Sequence, residues 1–299
     1  MALFEGVSAF PPTPIDADGV VDLDALQRRV ERLVAAGVDS LCVLGSTGAY
    51  AYLDRAQRRR AIEAAVEAAA GRTPVLAGVG ALTTAAACAL ARDAREAGAA
   101  GGLLAAVSYT PLTEAEVEAH VGAVAGAGDL PLCLYDNPAA TRFVFGPALL
   151  TRLAALPTVQ AAKAPAPADG DFAGRLAAVK GSGLKLGFSG DATAAQALRA
   201  GGAAWYSVTA GLFPRLARAL AQAARNDDQP RVEAISADLQ PLWTLLYAHG
   251  GVRVMSAAAG LMGLGDYPPP RPLAPPPAEA WASLAGTVER LAAREAAAV

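Results

Sequence analysis

Lysine is scarce in this 299-residue chain: of twenty-five basic residues only Lys163, Lys180 and Lys185 are lysine, and the other twenty-two are arginine. Histidine is scarcer still. His120 and His249 stand on separate probable helices with no second ligand at metal spacing, which argues against a zinc site or a histidine-dependent triad. The three cysteines, Cys42, Cys88 and Cys133, are odd in number and far apart. Two of them lie in apolar runs, "SLCVL" and "LPLCLY", where a thiol packs as a small hydrophobe. Blocks of one charge are missing as well. The formal net charge of -3 is spread along the sequence, so nothing indicates a nucleic-acid footprint or an anionic membrane surface, and small molecules are the expected partners. No run of eighteen residues is continuously apolar, and the opening "MALFEGVSAF" has no basic region followed by an apolar one. We expect a soluble, cytoplasmic protein.

What is present is 54% hydrophobic residues, ample for a sizeable core. Short apolar runs of β type alternate with Ala-rich helical stretches. The runs are "VSAF" (7–10), "SLCVL" (40–44), "PVLAGV" (74–79), "GLLAAV" (102–107), "PLCLY" (131–135), "VQAAK" (159–163), "LKLGF" (184–188) and "WYSV" (205–208). Between them, segments such as "DLDALQRRVERLVAAG" carry apolar residues at three- and four-residue spacing, with Asp near the start and Gly at the end. Strand then helix, eight times over, predicts an α/β fold: a (β/α)₈ TIM barrel, with a doubly wound open sheet as the alternative. The seventh and eighth runs are the least strand-like. After "PRLARALAQAARNDD" the pattern turns to helices alone, so we divide the chain into a catalytic barrel, 1–225, and a C-terminal helical region, 226–299.

In such barrels chemistry sits at the C-terminal ends of the strands. The second run ends in "GSTG", the fifth in Tyr135 of "YDNP", the sixth in Lys163, and the seventh leads into "GFSGD". Lys163 and Tyr135, on neighbouring strands, are expected close enough to share a proton. A lysine in water is almost wholly ammonium at pH 7, but burial among "QAA" and "APAPA" disfavours the charged form. The free amine is a nucleophile able to form a Schiff base with a carbonyl, a role closed to arginine. The alternative is a lysine that lays its stem over the barrel rim with the charge in water. Ser46 and Thr47 offer hydroxyls, and Gly45 and Gly48 allow backbone N–H groups to approach a carboxylate, although a plain βα turn explains the same residues. No Gly-Lys-Ser/Thr follows, so the turn is not a P-loop, and it lacks a dinucleotide fingerprint.

With these residues in order, the chain resembles the dihydrodipicolinate synthase and N-acetylneuraminate lyase family from about residue 5 to residue 265. Gly45-Ser46-Thr47-Gly48 is similar to that family's strand-two signature, Tyr135-Asp136-Asn137-Pro138 to its tyrosine motif, and Lys163 falls on its Schiff-base lysine. Gly190-Asp191 resembles the segment after strand seven, and "YSVTA" the eighth strand. The resemblance implies a class I lyase. Lys163 would attack the ketone of pyruvate or another 2-oxo acid, Tyr135 would move protons, and Ser46, Thr47 and Gly48 would hold the carboxylate. Ser46 and the catalytic Thr47 would also connect Tyr135 to a proton relay that Tyr109 completes. Gly190 and Tyr206 would line the pocket. It further implies that Tyr109 in "SYTPLTEAE" is lent to a neighbouring subunit, in a homotetramer built as a dimer of dimers, and that no metal or organic cofactor is needed. The products would be those of aldol cleavage or condensation, or of 2-keto-3-deoxy sugar acid dehydration.

The departures bear on specificity. Ala49 and Ala164 replace acidic residues, and Ala140 stands where the synthase has an arginine that clamps its second substrate. Arg142, two residues on, would take that role from a shifted position, although an exposed loop arginine fits it as well. We therefore expect the chain not to be a true lysine-pathway synthase. The competing readings are a catalytically silent relative that binds a small 2-oxo acid as a sensor or accessory subunit, and a barrel of unrelated chemistry.

Overall fold

Eight parallel strands, buried on both faces except at Gln160 and Lys185 near the starts of two of them, form the centre of the molecule, which is a computed structural model describing residues 3–298. They are β1 (Gly6–Ala9), β2 (Ser40–Val43), β3 (Val75–Gly78), β4 (Gly101–Ala105), β5 (Leu132–Tyr135), β6 (Val159–Ala164), β7 (Lys185–Phe188) and β8 (Ala204–Ser207). Strands buried on both faces read as continuous apolar runs rather than alternating ones, so each expected run is found as a strand. They pair in chain order. β8 then closes on β1 through Val7↔Trp205 and Ser8↔Tyr206, which makes the sheet a barrel and removes the open doubly wound alternative.

Among the described residues twelve α-helices follow the strands or cap the barrel: α1 (Leu23–Ala35), α2 (Arg55–Ala69), α3 (Thr84–Glu96), α4 (Glu114–Gly128), α5 (Pro138–Thr141) and α6 (Pro147–Leu153) come first. α7 (Phe172–Ala177), α8 (Ala194–Arg199), α9 (Pro214–Arg225), α10 (Gln229–His249), α11 (Gly251–Leu261) and α12 (Ala278–Ala297) complete the set. Their starts are written in side chains. Asp22, Asp54, Thr83 and Thr113 each accept a backbone N–H of the first turn, and Thr113 forms a capping box with Glu116.

Two apolar clusters result. The larger lies between the strands and the ring of helices. The smaller fills the barrel with Phe4, Phe10, Leu76, Tyr135 and Tyr206, and it includes Cys42 and Cys133 as packed thiols. Burial pushes the Cys133 thiol up to about 12, and Cys42 higher still. The helices after residue 225 do not stand apart from this core, because Leu239, Leu242, Trp243, Val254 and Leu284 belong to the larger cluster. No helix among the described residues is long and apolar enough to cross a membrane.

His120 on α4 is buried, with Nδ1 3.0 Å from Thr84 Oγ1 and Nε2 without a partner. Burial holds its pKa below the ordinary 6.5. As pH falls through that ordinary value the unfolded chain takes up a proton that the folded chain refuses, so stability is lost on the acid side. We expect the protein to lose more resistance to urea between about pH 7.5 and pH 5 than a His120→Leu variant does, and equal losses in urea midpoint would remove the effect from His120.

Candidate active site

Lys163 lies near the end of β6, directly across from Tyr135 of β5 in the parallel register. Strand alternation turns both side chains into the barrel. Lys163 is 3% exposed, whereas Lys180 is exposed and Lys185 pairs with Glu5 at 2.6 Å. The rim alternative is thereby excluded. Its Nζ rests 4.0 Å from the centroid of the Phe10 ring and 4.1 Å from that of Tyr135, between two π faces. Among the described residues no carboxylate forms an ion pair with it. An amine held by rings rather than by a carboxylate keeps its lone pair free for a carbonyl once the proton leaves.

A cavity of ≈ 200 Å³ opens above this amine and is lined by Ser46, Thr47, Gly190 and Tyr206 as well as by Lys163 and Tyr135. Six of the expected site residues therefore meet. The "GSTG" turn is flanked by two left-handed residues, Leu44 (φ 57) and Ala49 (φ 54). Gly45 is needed for room, since a Cβ there would lie 2.7 Å from the Phe10 ring. Gly48 lies off the cavity wall. Its carbonyl accepts the Thr13 hydroxyl at 2.7 Å, and a Cβ on it would meet the Leu44 N at 3.0 Å. Beneath the turn a Cβ on Gly78 would lie 1.8 Å from the Leu44 carbonyl oxygen, so β3 is pressed against it.

Tyr135 receives a hydrogen bond from Asn137 Nδ2 at 3.1 Å, so its own motif supplies the group that orients the phenol. Asp136 between them turns outward. Its Oδ1 accepts the Phe145 N–H at 3.2 Å and its Oδ2 lies 3.4 Å from Arg175, while burial pushes its carboxyl above the ordinary range. Tyr206 lines the cavity as expected: it stands edge-on to Phe10 and accepts from Cys133 Sγ at 3.3 Å. Burial raises its phenol well above the ordinary value.

Besides Gly48, two expected residues are not in the cavity. Tyr109 is 88% exposed beyond β4. Arg142, left-handed at the end of the one-turn helix α5, is exposed and donates to the Tyr109 carbonyl, so it does not point at the lysine. A second cavity of ≈ 310 Å³ adjoins the first through Ser46 and is lined by Tyr50, Tyr52, Val107, Asn137 and Ala140.

Several contributors were not found in the sequence. Phe10 closes the first apolar run and reads there as core. Trp243, Leu246 and Tyr247 of α10, with Gly251 of α11, wall the mouth from beyond the barrel. Asp191, legible in the sequence only as part of the motif after strand seven, is a buried hub: its Oδ1 accepts Trp205 Nε1 at 2.8 Å, and its Oδ2 accepts the Thr209 N–H at 2.7 Å and the Thr209 hydroxyl at 2.6 Å. Trp243 Nε1 donates to that same hydroxyl oxygen at 2.9 Å, which ties α10 to the cavity wall. Among the described residues no three His, Cys, Asp or Glu side chains gather as metal ligands.

The model of the dihydrodipicolinate synthetase family matches residues 3–291. A 4-hydroxy-tetrahydrodipicolinate synthase of Methylococcus capsulatus is 36% identical over 255 residues, covering 84% of this chain and 86% of the relative. Among solved structures, a dihydrodipicolinate synthase from Agrobacterium tumefaciens is 47% identical with a TM-score of 0.93, over 96% of this chain and 98% of that one. A chloride-inhibited dihydrodipicolinate synthase from Acinetobacter baumannii, solved in complex with pyruvate, is 26% identical with a TM-score of 0.90, over 97% of this chain and 99% of that one. The expectation that the chain is not a true lysine-pathway synthase finds no support in these likenesses, since relatives at this level of identity bear the synthase name. Alanine at 49, 140 and 164 is a difference in side chains and not a change of family. Fold, ordered motifs and relatives agree, and the chain belongs to the dihydrodipicolinate synthetase family, as an enzyme of the class I lyases rather than a silent binder of 2-oxo acids.

Proposed function

We propose that Lys163 forms a Schiff base with pyruvate or a closely related 2-oxo acid. Its amine attacks the ketone carbon, the carbonyl oxygen takes a proton, and loss of water leaves the imine. Removal of a proton from the adjacent carbon then gives an enamine, which forms or, in reverse, releases a carbon–carbon bond. The same imine serves dehydration of a 2-keto-3-deoxy sugar acid. Tyr135 moves the protons, with its hydroxyl held by Asn137. Ser46 and Thr47, with the N–H groups of their turn, receive the carboxylate, and Gly190 and Tyr206 bound the space left for the oxo acid. The cavity of ≈ 200 Å³ suits a molecule of this size.

The observation that carries the reading is the buried Lys163 amine between two aromatic faces, beside Tyr135 and open to that cavity. Tyr109 completes the relay in trans, in a cytoplasmic homotetramer arranged as a dimer of dimers. Its exposure of 88% suits a side chain buried only by another copy, and the cavity beside Ser46 has room for its ring. Arg142 holds the Tyr109 backbone in place and does not contact substrate.

Borohydride reduction of the protein with pyruvate tests the proposal, read by intact mass and peptide mapping. One reduced adduct per chain on Lys163 is expected. No adduct with pyruvate or with longer 2-oxo acids would sink it.

A further inference from the structure

At the N-terminal end of the barrel, opposite Lys163, a cavity of ≈ 590 Å³ opens between the end of α1, the outer face of α9 and the first turn of α10. Four arginines line it: Arg215, Arg218 and Arg225 of α9, and Arg231 of α10. Intervals of three and seven place the first three on one face of the helix, spread over about 15 Å of its length.

Among the described residues these guanidinium groups form no close ion pair, although the buried Glu295 carboxylate lies near enough to Arg215 to feel its charge. Among the described residues the one carboxylate on the cavity wall is Asp39, and its Oδ2 accepts the Val7 N–H at 2.7 Å. Two carboxylates bound to the backbone of the same helices are engaged in the same way. Asp228 accepts the Arg231 N–H at 3.1 Å, and Glu295 accepts the Arg215 and Leu216 N–H groups at 2.9 and 3.0 Å. Among the described residues none of the four arginines has a carboxylate oxygen within 4.0 Å of its side-chain nitrogens. Four like charges thus share one cavity in a protein whose net charge is -3. Arg218 is also fixed in advance. Its Nη1 donates to the Ala36 carbonyl at 2.8 Å, over Gly37, where a Cβ would come within 3.2 Å of it.

The geometry points to a binding site for an oligophosphate anion, the phosphate chain of a nucleotide or its inorganic counterpart. Guanidinium forks match phosphate oxygens in pairs. Guanidinium groups rooted over about 15 Å of helix are spaced for several phosphate groups in a row, as in a chain of phosphates, more than for one. The volume falls in the range of small-ligand sites. Because the site lies at the end of the barrel away from the amine, its ligand does not compete with the oxo acid.

Calorimetric titration of the full chain with inorganic tripolyphosphate, ATP, adenosine and citrate, at physiological salt, tests this site. Tripolyphosphate and ATP are expected to bind and adenosine is not. Equal affinities assign the site to the phosphate chain alone, and tighter ATP binding assigns it to a nucleotide. Arg218→Gln with Arg225→Gln is expected to weaken binding at least about tenfold, and Arg231→Gln alone to weaken it measurably, with pyruvate trapping unchanged in both. Failure of both phosphate compounds to bind, citrate binding as tightly as tripolyphosphate, or unaltered affinity in the double variant would each overturn the proposal. Since trapping is read separately, a failure here leaves the lysine chemistry standing, and the converse holds.

Discussion

Lys163→Arg is expected to abolish the reduced pyruvate adduct and to lower kcat/KM by at least about 10³-fold, with the fold intact. Arginine keeps the positive charge, most of the aliphatic stem and the ability to lie against the Phe10 and Tyr135 rings. It lacks only an amine that can lose its proton at working pH. The substitution therefore separates nucleophilicity from packing, which an alanine variant would not do, since truncation empties a site 3% exposed. Thermal denaturation of the same variant is the control. Turnover within about tenfold of the parent, in a variant that melts normally, would take the chemistry away from this residue.

The second large effect concerns stability. Asp191→Ala is expected to cost about 3 to 5 kcal/mol and to lower the melting temperature by on the order of 10 °C. Its two oxygens accept from Trp205 Nε1 and from the backbone N–H and hydroxyl of Thr209, all buried. Removing the carboxylate leaves at least two buried donors without an acceptor, at about 1 to 3 kcal/mol each. Asp191→Asn should fall between, since an amide offers one acceptor oxygen where the site needs two. Because Thr209 also receives Trp243 of α10, the alanine variant should lose pyruvate trapping at temperatures where it is still mostly folded. A melting temperature within about 2 °C of the parent would show that the hub carries little of the load.

The barrel was legible because strands buried on both faces leave a simple trace, a short apolar run between turn residues, and even "LKLGF" and "WYSV" kept it. Lys163 was legible for a compositional reason: in a chain that uses arginine almost throughout, a lysine among alanines marks a place where arginine does not serve. Loop residues were harder to place. Spacing brought Arg142 near the tyrosine motif, but the left-handed turn at the end of α5 sends its side chain to the Tyr109 carbonyl. The glycines of "GSTG" were legible as room for a close backbone approach, but not the left-handed turns at Leu44 and Ala49 that flank them, since neither residue type marks that conformation. Nothing in "LQPLWTLLYAHGG" says which face of a helix covers the mouth of a distant barrel, and Trp243 reads there as ordinary core.

That covering helix has a consequence for how the protein can change over evolutionary time. The groups placed for imine chemistry are fixed on β5, β6 and the turn after β2, whereas the far wall of the cavity is supplied by Trp243, Leu246, Tyr247 and Gly251, some eighty residues later in the chain. Fit and chemistry are thus inherited on separate stretches of gene. Drift in the later stretch can retune which partner molecule is admitted while the amine and its phenol stay as they are, and exchange of that stretch between relatives would transfer preference without transferring the reaction.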